Sequence, residues 1–95
     1  MRAETHYHNI IILVGKTTQP FSVGEIANTT GASRGTILRV LSRLRLMEVV
    51  IMLPLHVYGA RHWSKLRRWP EDINELIDKY ELLRKLERST GQRLK

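Results

Sequence analysis

The sequence contains no cysteine, and this absence excludes several kinds of chemistry. Without cysteine there is no disulfide, no thiolate ligand for a metal ion and no cysteine nucleophile. The longest apolar runs, residues 10–14 and 49–53, are far shorter than the roughly 20 residues that a membrane-spanning helix needs. The first residues, MRAETHYHNI, also lack the apolar stretch and the cleavage site of a signal peptide. We therefore expect a soluble protein in the cytoplasm.

The sequence also lacks a recognisable arrangement of catalytic or metal-binding residues. No Ser/His/Asp set or carboxylate pair suggests catalysis, and the 4 histidines do not have the spacing of a metal site. The segment GKTT at residues 15–18 imitates the end of a phosphate-binding loop, but Ile10 stands where that loop needs a glycine. We therefore expect no enzyme activity, no metal, no cofactor and no small-molecule effector.

Acidic residues are scarce where basic residues are concentrated. The chain has 16 lysines and arginines against 9 acidic residues, a formal net charge of +7. Residues 34–68 contain eight basic residues and one acid, Glu48, which already gives +7, so the remainder of the chain is balanced. A basic segment attracts polyanions through long-range steering and through the release of counterions from phosphates. The localised charge therefore predicts a nucleic-acid partner.

Helical periodicity and capping signals organise the first half of the chain. Apolar residues at helical spacing predict a helix over residues 3–14. Ser22 and Glu25 have the spacing of a capping box at the start of a short second helix. Gly31 suits a left-handed turn position, and Ser33 can cap the third helix. These signals therefore predict two helices joined by a tight turn.

The second half has the pattern of a β-hairpin followed by a long helix. VVIML is predicted to be a strand, PLHVYG a loop and ARHWSKL a second strand. Phe21 is expected in a very short strand before the second helix. A helix is predicted over residues 70–90, with Pro70 in its first turn. The predicted fold class is therefore mainly α with a small β-hairpin (α+β), in a single domain spanning residues 1–95.

The segment VGEIANTTGASRGTILRVLSRLRLMEVV, residues 23–50, resembles the winged helix-turn-helix of small transcription regulators of the MarR- and ArsR-like kind. The likeness lies in the EIA helix, the glycine of the turn, SRGTI at the start of the recognition helix and the LxxL spacing near its end. Two positions depart from the family pattern. Glu48 stands where a glycine usually follows the recognition helix, and Gly35 replaces a more usual polar residue.

This resemblance implies an order of elements and a division of the chain. The order is helix, very short strand, helix, recognition helix, two wing strands and a final helix. The helix-turn-helix would span residues 22–47, the wing residues 49–66 and a C-terminal dimerisation helix residues 70–90. Small regulators of this plan occur in archaea and in their viruses, so an archaeal or viral source fits the resemblance.

The resemblance also implies a homodimer that binds double-stranded DNA with the recognition helix in the major groove. On a helical wheel, Arg39 and Arg43 project furthest from the apolar side, and we expect them to pair with guanine edges. Leu38 and Leu46 do not fit the apolar side, and either a neighbouring helix covers them or they touch thymine methyl groups. Further DNA contacts are expected from Ser22, Ser33, Arg34, Gly35, Thr36, Arg61, His62 and Lys65.

Wide apolar stripes on the first and last helices predict the dimer contacts, with the alternative that both helices pack only onto their own domain. The candidate interface residues are Ile10, Ile12, Leu13, Ile73, Leu76, Ile77, Tyr80 and Leu83. A two-fold dimer reads a palindromic or pseudo-palindromic site. The sequence thus predicts a compact, sequence-specific DNA-binding repressor. Two alternatives stay open: a winged helix whose arginines meet an acidic protein surface, and an RNA-binding protein.

Overall fold

The computed structural model describes residues 3–57 and 59–90, with side chains described over residues 7–54 and 59–88. The described residues form four helices, which are α1 (Ala3–Lys16), α2 (Val23–Thr30), α3 (Arg34–Leu46) and α4 (Ile73–Thr90). They also form three strands, which are β1 (Phe21–Ser22), β2 (Val50–Val57) and β3 (Ala60–Lys65). The strands make one antiparallel sheet in the order β1-β3-β2. The predicted α+β class and the predicted order of elements are confirmed.

Local capping determines where α2 and α3 begin and end. The Ser22 hydroxyl accepts a hydrogen bond from the Glu25 N–H at 3.2 Å. The Ser33 hydroxyl accepts one from the Thr36 N–H, also at 3.2 Å. Between the helices, Gly31 has a φ of 76°, a left-handed conformation that costs glycine little. The predicted caps and the predicted turn glycine are confirmed.

The core lies between the helices and the inner face of the sheet, with buried residues from all four helices. On α3, the buried residues are the four that the apolar periodicity predicted, namely Ile37, Val40, Leu41 and Leu44. Burying each side chain of this size contributes about 1.5–3 kcal/mol relative to leaving it exposed. The opposite face of α3 is thereby held outward, toward solvent.

The short strand β1 fastens the start of α2 to the sheet. Phe21 lies opposite Trp63, and Ser22 lies opposite His62. On the other side of β3, Met52 of β2 also lies opposite Trp63. Trp63 is buried, so the middle of the sheet packs on the core directly behind the start of α2.

The strand β2 extends further than the sequence predicts. Pro54 and the residues up to Val57 continue the strand where a loop was predicted, and Tyr58 of that predicted loop lies outside the described residues. The pairing with β3 shifts register between Met52 and His56. Because β2 is an edge strand with an irregularity at this point, a residue without an N–H is tolerated there.

Two helix ends also differ from the prediction. The helix α1 continues through Gly15 to Lys16, beyond the predicted stop. The helix α4 begins at Ile73, not at Pro70, because the Asp72 carboxylate accepts a hydrogen bond from the Asn74 N–H at 3.0 Å and caps the helix start. Pro70 therefore belongs to the connection before α4.

Glu48, just after α3, has a left-handed backbone with a φ of 63°. A β-carbon in this conformation costs about 1–2 kcal/mol. A glycine variant avoids this cost. Part of the gain is offset, because glycine loses about 0.5–1 kcal/mol more conformational freedom on folding. We therefore expect Glu48→Gly to be more stable than Glu48→Ala by about 1 kcal/mol in urea unfolding. Both variants lack the carboxylate that pairs with Arg68, so equal stabilities would mean that the backbone is not strained.

Candidate nucleic-acid interface

The N-terminal half of α3 presents polar and basic residues on its outer face. Arg34, Gly35 and Arg39 are exposed, and Thr36 is half-buried. The Ser33 hydroxyl donates to the Thr36 hydroxyl at 3.0 Å, which orders the first turn. Among the described residues, no atom outside the local chain lies within 4 Å of the position of a β-carbon at Gly35. The helix surface is therefore open to a partner at this point.

A pocket of about 330 Å³ lies where the start of α2 meets α3 and the hairpin. Arg34 of α3 and Arg61 of β3 both line it, as do Ser22 and Gly24 at the start of α2. The first N–H groups of a helix lack partners within the helix and carry partial positive charge. Two guanidinium groups beside a helix start make an electropositive pocket that suits an anion. Ser22 itself is buried, and its hydroxyl caps α2.

Arg43 does not project away from the core, and the prediction that it reads bases is corrected. Its Nε and Nη2 donate to the two carboxylate oxygens of Glu87 at 2.8 and 3.0 Å, and its Nη1 donates to the Tyr80 hydroxyl at 3.1 Å. The side chains of Arg43 and Glu87 are only 16% and 11% exposed. The hydrogen bonds that Arg43 donates to Glu87 raise the pKa of Arg43, although burial opposes this. A wheel of α3 alone cannot reveal that Tyr80 and Glu87 of α4 lie within reach of Arg43.

The Arg43 contacts belong to a polar cluster between α1, α3 and α4. The ring of Tyr80 stacks on the ring of Tyr7 with centroids 4.8 Å apart. The Tyr7 hydroxyl donates to Glu81 at 2.9 Å, and His8 lies 3.3 Å from the same carboxylate oxygen. Burial raises the pKa of Tyr80, whereas the hydrogen bond from Tyr7 lowers the pKa of Glu81. This cluster was not predictable from the sequence, because its members lie far apart along the chain.

Two residues of β3 that were predicted to contact DNA are directed differently. The Lys65 Nζ donates to the Gly15 carbonyl at 2.7 Å and lies 5.6 Å from the centroid of the Trp69 ring. A cation at a helix C-terminus interacts favourably with the helix dipole, so Lys65 stabilises the end of α1 and is removed from the expected contacts. His62 is half-buried, and its Nδ1 lies 3.0 Å from the Ala60 carbonyl oxygen.

Most of the predicted dimer stripe packs inside the domain. Ile10, Leu76 and Tyr80 are buried in the core, so their assignment to a dimer interface is wrong. Partly buried residues that pack against this core are Leu13, Ile73 and Ile77. The reason is that α1 and α4 cover each other and α3, and a periodic apolar stripe does not distinguish this packing from a dimer. Ile12 remains exposed, and Leu83 is half-buried.

The exposed apolar surface of α4 lies beside the predicted stripe. A groove of about 510 Å³ runs along this helix. Leu82, which is 59% exposed, lines the groove together with Leu83, and Met47 and Val49 contribute from the segment after α3. An apolar groove of this kind on a small domain is typical of a protein-protein contact.

Comparisons with known proteins supply no functional assignment, so any assignment depends on the fold and the surface. No model of a known protein family matches the chain, and no curated protein matches it. Among the described side chains, those of residues 7–54 and 59–88, no three histidines, aspartates or glutamates are grouped to hold a metal ion. None of the helices formed by these residues is long and apolar enough to cross a membrane.

Proposed function

We propose that the protein is a winged helix-turn-helix protein that binds double-stranded DNA in a sequence-specific manner and acts as a transcription repressor. The observation that carries this proposal is the pocket at the start of α2, which Arg34 of α3 and Arg61 of β3 both line, with Arg39 exposed further along α3. In this proposal α2 and α3 are the helix-turn-helix, and the hairpin of β2 and β3 is the wing. The local excess of positive charge supports a polyanionic partner.

In this proposal the N-terminal half of α3 enters the major groove. Arg39 is exposed and long enough to pair with O6 and N7 of a guanine. Arg34 and Arg61 line the pocket at the start of α2, where a backbone phosphate fits. Gly35 allows the DNA backbone to approach the helix closely. Arg43 supports α3 from behind and makes no contact with bases.

We propose that the protein acts as a homodimer. Its interface is the α4 groove at Leu82 and Leu83. A two-fold dimer places two α3 helices about 34 Å apart along the DNA, one helical turn, so that they read a palindromic or pseudo-palindromic site.

Substitution of Arg39 by alanine tests the proposed base contact. A bound duplex is first selected from a random library, and we expect its half-sites to be related by two-fold symmetry. On this duplex, Arg39→Ala is expected to cost about 1–3 kcal/mol of binding free energy, and much less on random DNA. Arg88→Ala, which removes the same charge from an exposed position on α4, is the control and is expected to have little effect on either duplex.

The same binding measurements distinguish the competing interpretations. Equal losses on the selected and random duplexes would reduce Arg39 to a phosphate contact. A binding constant that does not fall with increasing salt would contradict the proposed contact with phosphates. Stronger binding to a structured RNA than to duplex DNA at equal salt would favour an RNA-binding protein.

A further inference from the structure

A second basic surface lies at the base of the hairpin, apart from the proposed DNA-binding face. We call it the hairpin-base patch and define it by Ile51, Leu66, Arg45, Arg67 and Arg68, which line a shallow pocket of about 590 Å³. Arg45 lies near the C-terminal end of α3, six residues beyond Arg39, which is the residue assigned to base reading. A rise of 1.5 Å per residue puts Arg45 about 17 Å along the helix axis from the start of α3.

Apolar side chains at the centre of the patch face solvent. Ile51 is 42% exposed, although Val50 beside it is buried, because successive residues of a strand point to opposite faces. Leu66, just after β3, is also exposed. A solvent-facing position on a hairpin ordinarily takes a polar residue. The run VVIML is apolar on both faces of β2, and the folding of this domain does not account for the outward one.

Arginine carries all of the positive charge around these apolar residues. Of the described residues that line the pocket, three are arginines, none is lysine, and Glu48, paired with Arg68, is the single acid. Protein-protein interfaces are enriched in arginine and depleted in lysine. A planar guanidinium also pairs with a carboxylate through two parallel hydrogen bonds. The composition therefore favours a carboxylate-bearing partner.

The backbone holds the patch in a defined shape. The Leu66 N–H donates to the Val49 carbonyl at 2.9 Å, and the Trp69 N–H donates to the Leu66 carbonyl at 3.0 Å. The second bond closes a four-residue turn that has Arg67 and Arg68 at its two central positions. Both arginines are exposed. A surface held in this way loses little conformational freedom when a partner binds.

We propose that the hairpin-base patch binds a short acidic segment of another protein, with an apolar side chain between its carboxylates. The apolar side chain covers Ile51 and Leu66, and the carboxylates pair with Arg45 and Arg67. DNA fits this surface less well, because a phosphate backbone offers the arginines charge but leaves the two apolar side chains uncovered. With the acidic segment bound at the patch, the protein can recruit another protein, or be recruited by it, while α3 contacts a different partner. The proposal does not depend on DNA binding.

Selection from a library of random 12-residue peptides tests the proposal. We expect the selected peptides to share acidic residues on both sides of a leucine, isoleucine or phenylalanine. The consensus peptide is then synthesised with a fluorescent label and titrated with each variant. Ile51→Ser and Arg67→Ala are each expected to weaken binding about tenfold, equivalent to 1.4 kcal/mol. Leu38→Ser is the matched control, because Leu38 is 40% exposed on the outer face of α3, and it is expected to leave peptide affinity unchanged.

Several results would overturn this inference. One is a selection that yields no consensus, or a consensus without acidic residues. Another is a consensus peptide that binds Ile51→Ser as tightly as the unmodified protein. Loss of duplex affinity in both Ile51→Ser and Arg67→Ala would assign the patch to DNA instead. Failure of duplex binding in the unmodified protein would contradict the proposed function but not the peptide site.

Discussion

Replacement of Arg43 by alanine is expected to lower the free energy of unfolding by about 3 kcal/mol, whereas Arg39→Ala is expected to change it by less than about 0.5 kcal/mol. The two arginines lie one helical turn apart on α3 but have different surroundings. Arg43→Ala removes both hydrogen bonds to the largely buried carboxylate of Glu87 and the bond to Tyr80. Arg39 is exposed. Urea unfolding of the two variants measures this difference directly.

A double-mutant cycle separates the ion pair from the packing of the long arginine side chain. If the pair is the main contribution, the losses in Arg43→Ala and Glu87→Ala are strongly non-additive, and the double variant is barely less stable than either single one. Additive losses would assign the effect to packing. Equal stability of Arg43→Ala and Arg39→Ala would return Arg43 to the outer face and to the set of possible base contacts.

The features predictable from the sequence are those decided over a few residues. Ser22 and Ser33 cap helices because a hydroxyl meets an N–H three residues later, and Gly31 ends α2 because its own backbone tolerates a left-handed conformation. The apolar face of α3 was predictable for the same reason, since its period is set by the helix itself. These local signals also bring Arg34 and Arg39 to the outer face of α3.

The features that could not be predicted from the sequence depend on contacts between residues that are distant in the chain. Lys65 turns toward the end of α1, and Arg43 turns toward α4, because a carbonyl and a carboxylate distant in the chain happen to lie within reach. Pro54 predicts a loop from local rules, yet an irregular edge strand accommodates it. A helical wheel of α3 puts Arg43 at the outermost position because it does not include α4, which begins thirty residues after Arg43.

Apolar periodicity has the same weakness for partners as for charges. Leu76 and Tyr80 repeat at the spacing of a helix–helix seam, but both are buried in the core of their own domain. The outward apolar residues, such as Leu82 and Ile51, interrupt the regular pattern. For a chain of this size, the residues that break the periodicity thus indicate possible partner surfaces better than the residues that follow it.

Aspartate at Leu76 and aspartate at Leu82 are expected to have opposite consequences, although the two positions are six residues apart on α4. Leu76 is 1% exposed. Leu76→Asp removes its packing, at a cost of about 2–5 kcal/mol, and adds the cost of burying a polar group without a partner. The sum is comparable with the whole stability of a small domain, about 5–15 kcal/mol. We therefore expect Leu76→Asp to lose most of its helical circular dichroism at 25 °C.

Leu82→Asp is expected to leave the domain folded and to dissociate the proposed dimer. Leu82 is 59% exposed, so the fold loses little when it changes. In the proposed dimer, however, the new charge would be buried against the second α4 groove and would lose its hydration there without a compensating partner. Analytical ultracentrifugation is expected to show folded monomers for Leu82→Asp and dimers for Leu38→Asp, which adds the same charge on the face of α3 proposed for DNA. A folded Leu82→Asp dimer would place the interface elsewhere, and a folded monomeric Leu76→Asp would show that α4 does not pack on its own core.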